Sequence, residues 1–310
     1  PVLYYISAHG YGHAVRSCDV LRALHEEDPE TPLWIVSGHE ENFFRQRLPD
    51  VPFQHRKAVF DVGLVQRDSV RADIQETQLR VHALQQVRAP LLRVLQQWME
   101  DRVSSAVVAD IPNLPLGAAA GLGVPAIATG NFSWDWIYGP FLHEDPQGWA
   151  ETVANCATDY RRADLLLRLP FHGDMSVFQP IEDVPLSARP ASSRREEIAA
   201  ATGADPDQRW VLLAFSDLDW EPEALAKLGA IPGTAWFSML PLSWRGSCVH
   251  ALDPAQFLFS DVTASCDAVV SKPGYGIVSE CVVNEKPLLY VERDHFVEYP
   301  ILVQGIQRYL

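Results

Sequence analysis

Two histidines and two glycines alternate in the run HGYGH at positions 9–13, directly after an apolar stretch at 2–6. An imidazole has an ordinary pKa of about 6.5, so it can take a proton near neutral pH. Other chemistries fit the spacing poorly. No Glu follows His9, so the helical zinc-protease pattern fails. Gly10 and Gly12 are followed by Val15 where a dinucleotide fingerprint needs a third small residue, and the Gly-Lys-Ser/Thr of a phosphate loop is missing. The glycines also disfavour a helix that would align the two rings. What remains is a loop presenting His9 and His13 at a strand end, with His13 as a base or as a group that caps or packs the next helix.

A second strand–glycine–helix junction lies at 269–281, VVSKPGYGIVSEC. Gly274 and Gly276 open the backbone where a helix begins. Free N–H groups and the helix dipole favour an anion there, and Lys272 adds positive charge. Glu280, further into that helix, can accept hydrogen bonds from paired ribose hydroxyls or simply complement the helix N-terminus. Two other stretches could bind sugar. At 289–300, LYVERDHFVEYP, a strand runs into Arg293, Asp294, His295 and Glu298, which either bind hydroxyls or stay solvated. At 129–138, TGNFSWDWIY, four aromatic rings flank Asn131 and Asp135, which suits the apolar face and hydroxyls of a sugar or the edge of a packed core.

These junctions need strands and helices in alternation, and the chain supplies them. Strands are expected at 2–6, 32–37, 105–110, 125–129 and 163–169. Helices are expected at 14–26, 40–47, 78–98, 116–122 and 150–160. The stretch 173–190 is rich in Pro without clear periodicity and reads as a linker. The alternation then restarts, with helices at 194–201 and 277–283 and strands at 210–215, 234–239, 268–271 and 287–291. This is an α/β pattern of two Rossmann-like domains, 1–180 and 181–310, with parallel sheets facing across a cleft. Ligands of such sheets bind at the carboxyl ends of the strands, where both glycine junctions fall.

Composition narrows the classes. A length of 310 residues suits two domains, and 47% hydrophobic residues is a globular content. A net charge of −15 argues against a nucleic-acid surface, though a local pocket for a small anion is compatible with it. Cys18, Cys156, Cys248, Cys266 and Cys281 are odd in number and lack a CxxC pair. They indicate neither a disulfide framework nor a zinc site, and read as buried free thiols. No apolar run reaches the ~18 residues of a membrane helix, and the first residues lack a secretory leader pattern, so the expectation is cytoplasmic.

Taken together, the motifs resemble inverting GT-B glycosyltransferases. The stretches GYGHAVR (10–16), DVGLVQ (61–66), NFSWDWIY (131–138), RLP (168–170), DVPL (183–186), GYGIVSE (274–280) and Arg293-Asp294 are similar to the glycosyltransferase-like N-terminal region of plant L-arabinokinases. More distantly, they resemble the N-acetylglucosaminyltransferase that completes the lipid-linked peptidoglycan precursor. The resemblance implies sugar transfer from a nucleotide diphosphate, UDP-linked, to an unidentified acceptor, with no metal and no cofactor. His13 would be the base. Ser216, Lys272, Gly274, Tyr275, Gly276, Ser279 and Glu280 would bind the nucleotide and diphosphate. Asp294 and Glu298 would hold the donor sugar, and His9, Gly10, Gly12, Asp110, Asn131 and Asp135 would face the acceptor.

Two departures qualify the resemblance. AFSD (214–217) stands where such enzymes often carry a Gly-Gly-Ser/Gln turn, and the fold usually continues beyond a point equivalent to residue 310. The arabinokinases carry a sugar-kinase domain after this region, so no kinase activity is expected of these residues. Two other readings share the fold: a UDP-sugar 2-epimerase and a non-catalytic nucleotide-sugar-binding protein.

Overall fold

The structure is a computed structural model that describes residues 1–215, 222–240 and 248–310. It divides into two compact units, one of residues 1–65 and 73–187, the other of 66–72 and 188–310. The sequence-based boundary at 180/181 falls before the last strand of the first unit. That strand stays with the first unit because it pairs with its neighbour there.

The first unit runs β1 (Val2–Ile6), α1 (Tyr11–Glu27), β2 (Leu33–Ser37), α2 (Glu41–Arg47), β3 (Phe53–Lys57), α3 (Ile74–Gln86), α4 (Arg88–Asp101), β4 (Ala106–Asp110), α5 (Asn113–Leu122), β5 (Ala126–Gly130), α6 (Trp134–Tyr138), α7 (Pro146–Tyr160), β6 (Leu165–Arg168) and β7 (Ile181–Asp183). Among the described residues its sheet has seven parallel strands in the order β3-β2-β1-β4-β5-β6-β7. The order reverses between β1 and β4, and the crevice of such a sheet opens at that switch point. Tyr4, Ile6, Ile35 and Phe53 of the strands pack with Ala14, Cys18, Leu21 and Phe44 of α1 and α2.

The second unit runs α8 (Arg195–Thr202), β8 (Arg209–Ala214), α9 (Pro222–Gly229), β9 (Thr234–Met239), β10 (Val249–Leu252), α10 (Phe259–Ser265), β11 (Ala268–Ser271), α11 (Tyr275–Val283), β12 (Leu288–Tyr290) and α12 (Tyr299–Tyr309). Among the described residues its five strands are ordered β10-β9-β8-β11-β12 and pair in parallel, with the switch between β8 and β11. Val211, Leu213 and Trp236 form the core of this sheet with Phe215.

Several expectations are corrected. The helix after β1 starts at Tyr11, not at 14, so Gly12 and His13 are helical. Gly10, at φ 81, makes the left-handed turn that lets the helix begin so soon after the strand. The single helix expected at 78–98 is two, α3 and α4, meeting at Val87. Pro90, in the first turn of α4, has no N–H to continue the α3 ladder and its ring crowds the carbonyl four residues back. The stretch read as a linker contains β7, an edge strand of three residues too short to show periodicity. Four cysteines are buried and free, but Cys248, beside edge strand β10, is exposed. Among the described residues no helix is long and apolar enough to cross a membrane.

Candidate active site

Each switch point carries one of the two glycine junctions, and the two assemble differently. In the first unit, α1 leaves the end of β1 and brings His13, Arg16 and Ser17 onto the end of β4. Residues three and four apart share a helix face, so His13 and Arg16 approach the same target. That target is Asp110, which is completely buried. His13 Nδ1 lies 2.8 Å from Asp110 Oδ1. Arg16 donates to both carboxylate oxygens, from Nε at 2.7 Å and Nη2 at 2.5 Å. Ser17 Oγ donates to Oδ2 at 3.1 Å. Arg16 also donates from Nη1 to Asn131 Oδ1, while Asn131 Nδ2 donates to the Pro170 carbonyl at 2.6 Å.

Burial alone would push the Asp110 carboxyl up. The Arg16 guanidinium, followed by His13, outweighs it and holds the acid well below the usual carboxylate range. Nδ1 faces both the Asp110 oxygen and, at 3.0 Å, Arg16 Nη2; a proton on Nδ1 would let it donate to the carboxylate and leave Nε2 as the nitrogen able to accept. The ring meets Phe132 edge-on at 5.5 Å, and 8% of the side chain reaches solvent. The arrangement is an imidazole oriented by a buried acid, which is what a general base requires.

The expected acceptor residues divide. Asp110 and Asn131 are buried, with hydrogen bonds to His13, Arg16 and the Pro170 carbonyl. The 129–138 stretch is core: Phe132, Trp134 and Tyr138 are buried, and Trp134 stacks on Tyr138. Trp134 Nε1 donates to Asp61, whose carboxyl is pushed up by burial. Only Asp135 and Trp136 of that run's polar and aromatic side chains reach part of the surface; burial pushes Asp135 up as well. His9 is half-buried with its ring edge on Trp134, and Gly63 makes room for it: a Cβ there would sit 2.3 Å from His9 Nδ1. Gly10 and Gly12 are exposed at the start of α1. A cavity of about 20 Å³ beside Asp61, Arg88, Trp134 and Thr152 has room for one water and no sugar.

In the second unit, β11 delivers Lys272 just ahead of Gly274, the N-cap of α11. Lys272 Nζ donates to Gln66 Oε1 at 3.1 Å. Gln66 belongs to a small loop closed by a bridge from Gln66 to Ala72, and Arg71 of that loop bridges to Asp294. Burial, reinforced by Arg293, lowers Lys272 to about 8, against the pull of Glu298 and Asp68. Arg293 is itself lowered to about 10 by burial. Its Nη1 lies 3.8 Å from Glu298 Oε1, and its guanidinium lies 3.2 Å over the Phe296 ring. Glu298, expected to hold a donor sugar, is pushed up by burial and turns toward Arg293 because α12 starts beside it. Asp294 is exposed.

The other expected donor residues lie on or beside α11. Tyr275 opens the helix and Gly276 is exposed. Ser279 Oγ donates to the Tyr275 carbonyl at 2.8 Å, so its hydroxyl serves the helix. Glu280 is half-exposed, with Asn284 Nδ2 at 3.4 Å from Oε2. Ser216 lies outside the described residues. Among the described residues no group of three or more His, Cys, Asp or Glu side chains is placed to hold a metal ion.

Arg16, Asp61 and Gln66 enter the two sites without having been singled out as site residues. Arg16 had a signal in its spacing of three from His13. Asp61 and Gln66 had none beyond their shared motif.

No family model matches the chain. It is 29% identical over 317 residues to the L-arabinokinase of Arabidopsis thaliana, a match that takes in 99% of this chain and 29% of that protein. The chain therefore spans less than a third of the length of that curated relative. Among solved structures, it is similar to the glycotransferase of kitacinnamycin, with TM-score 0.64 and 12% identity over 99% of this chain and 83% of that one. It is also similar to UGT89C1 of Arabidopsis thaliana complexed with UDP-L-rhamnose, with TM-score 0.63 and 14% identity over 98% of this chain and 82% of that one. The fold is thus that of the GT-B glycosyltransferases, with two parallel α/β units of seven and five described strands.

Proposed function

We propose that the chain is a glycosyltransferase that moves a sugar from a UDP-linked donor to a hydroxyl acceptor with inversion at the anomeric carbon. The observation that carries this reading is the His13–Asp110 contact at 2.8 Å, on the carboxyl edge of a parallel sheet at its switch point. In the reaction, His13 Nε2 takes the proton of the acceptor hydroxyl. The acceptor oxygen attacks the anomeric carbon as the bond to the diphosphate oxygen breaks. The leaving diphosphate gains negative charge, which Lys272 and the N-terminus of α11 are suited to stabilise. Glu280 is the candidate for the ribose hydroxyls, and exposed Asp294 for the donor sugar. Lys272 supplies the positive charge, so the proposed step requires no divalent metal.

The fold likeness and the UDP-L-rhamnose bound by one structural neighbour favour a nucleotide sugar as donor. The arabinokinase match covers 29% of that protein, and the proposal takes no kinase activity from it. The test is incubation with a panel of UDP-sugars and hydroxyl acceptors, with and without EDTA, followed by NMR. A new glycoside of inverted configuration is expected, with His13→Ala inactive and EDTA without effect. A UDP-sugar altered at C2 without acceptor would instead make the chain an epimerase, and binding without any turnover would make it a sensor.

A further inference from the structure

The lysine of the second unit already holds an oxygen where an anion would bind. Lys272 Nζ donates to Gln66 Oε1 at 3.1 Å, and Gln66 comes from the short loop 66–72, which belongs to the same unit. The two residues are 206 apart in sequence, so the fold alone makes this contact. The loop is closed on itself. Gln66 bridges to Ala72, and Arg67 N donates to the Arg71 carbonyl at 2.9 Å. Asp68 Oδ1 accepts from the N–H groups of Val70 and Arg71, both at 2.9 Å. Arg71 also bridges to Asp294, the residue after Arg293, which seats the loop at the lysine.

The acids that act on Lys272 each have an arginine of their own. Asp68 pulls on the lysine through space but is paired with Arg71 at 2.5 Å, and Glu298 faces Arg293 at 3.8 Å. Among the described residues, the oxygen that accepts from the ammonium is a neutral amide oxygen. An ammonium bonds an ionised oxygen more strongly than a neutral one. An amide is therefore an occupant that a phosphate oxygen can displace, whereas a carboxylate in the same place would resist displacement. We infer that Gln66 is an internal competitor for the anion site at Lys272. Its amide oxygen takes the place of a phosphate oxygen while loop 66–72 is seated, and gives that place up when the ligand binds.

The inference rests on the reading of Lys272 as a diphosphate contact. It is tested by calorimetry with inorganic pyrophosphate and with UDP, on the whole chain. Gln66→Ala vacates the lysine and should tighten both by ~10-fold, the low end for a hydrogen bond to a charged group. Gln66→Glu places a carboxylate there and should weaken both. If Gln66→Ala does not fold, Gln66→Met keeps the side-chain length without the amide oxygen and should also tighten binding. Unchanged or weaker binding in Gln66→Ala and Gln66→Met would overturn the inference, because Gln66 would then be idle or would help hold the ligand. Lys272→Ala separates that failure from failure of the diphosphate reading. Binding that Lys272→Ala weakens and the Gln66 variants leave unchanged keeps the diphosphate contact and removes the competitor. Binding that no variant or native chain shows, or that Lys272→Ala leaves untouched, overturns both. Tighter binding in Gln66→Ala without transfer from any donor would overturn the transferase reading and leave this inference standing.

Discussion

The two strand-to-helix junctions begin from similar sequences, GYGHAVR and GYGIVSE, yet they are finished in opposite ways. Around Asp110, four donors from His13, Arg16 and Ser17 close on one carboxylate, with Asn131 tied behind them. Around Lys272 the charges are buried but loosely matched. Arg293 Nη1 lies 3.8 Å from Glu298 Oε1, and Arg293 Nε and Glu298 Oε2 are buried without a hydrogen-bond partner among the described residues. A fully satisfied network fixes one side chain in one orientation, which suits proton transfer. At the second junction two cations, Lys272 and Arg293, face Glu298, while Asp68, which also pulls on Lys272, is paired with Arg71; a cluster of that kind can take an incoming anion.

Four experiments bear on that contrast. The largest effect is expected at His13: His13→Ala should lower turnover by ~10²–10⁴-fold while UDP affinity, measured by calorimetry, stays near native. A parallel loss of UDP affinity would mean the two junctions do not divide the work this way. Next, Asp110→Ala should cost ~3–5 kcal/mol in urea unfolding, because it strands the buried Arg16 guanidinium; Asp110→Asn, which keeps an acceptor oxygen, should cost less.

Lys272→Ala should weaken UDP binding by roughly 10–100-fold, the size of a hydrogen bond to a charged group. The pH dependence has a definite sign. Lys272 is lowered to about 8 by burial, so its charge, and with it UDP affinity, should fall as pH rises above 8. Stability should move the other way. The folded state binds the Lys272 proton less tightly than the unfolded chain, so this group's contribution to stability rises with pH from about 8 to the ordinary lysine value. Affinity that is flat from pH 7 to 10 would remove Lys272 from the anion site. The last experiment is Gln66→Ala, which removes an acceptor from the partly buried Lys272 ammonium and should cost ~1.5–3 kcal/mol in urea unfolding, less than Asp110→Ala.

Much of the architecture was legible in the sequence because apolar runs and helical spacing are local signals. The strands β1, β4, β9 and β11 fall where their apolar residues put them, and both glycine junctions lie at strand ends. The misses have local causes too: β3 (FQHRK) is too polar to read as a strand, and Pro90 split a helix whose periodicity ran on unbroken. The candidate site was harder to read. The aromatic run 131–138 has the composition of a sugar platform, but its rings are packed inward, Tyr138 against Trp149 and Trp134 against Tyr138. Composition alone does not distinguish an exposed ring from a buried one.

The sequence by itself determined that two parallel α/β units exist, and that a histidine junction opens one and a lysine–glycine junction lies within the other. Tertiary structure decided what those junctions contain. Asp110 is 97 residues from His13, Asn131 is 115 from Arg16 and Gln66 is 206 from Lys272. A carboxylate's role depends on which groups come within hydrogen-bonding distance of it. Strand order, which chain spacing does not encode, placed β4 beside β1 and made Asp110 the partner of His13.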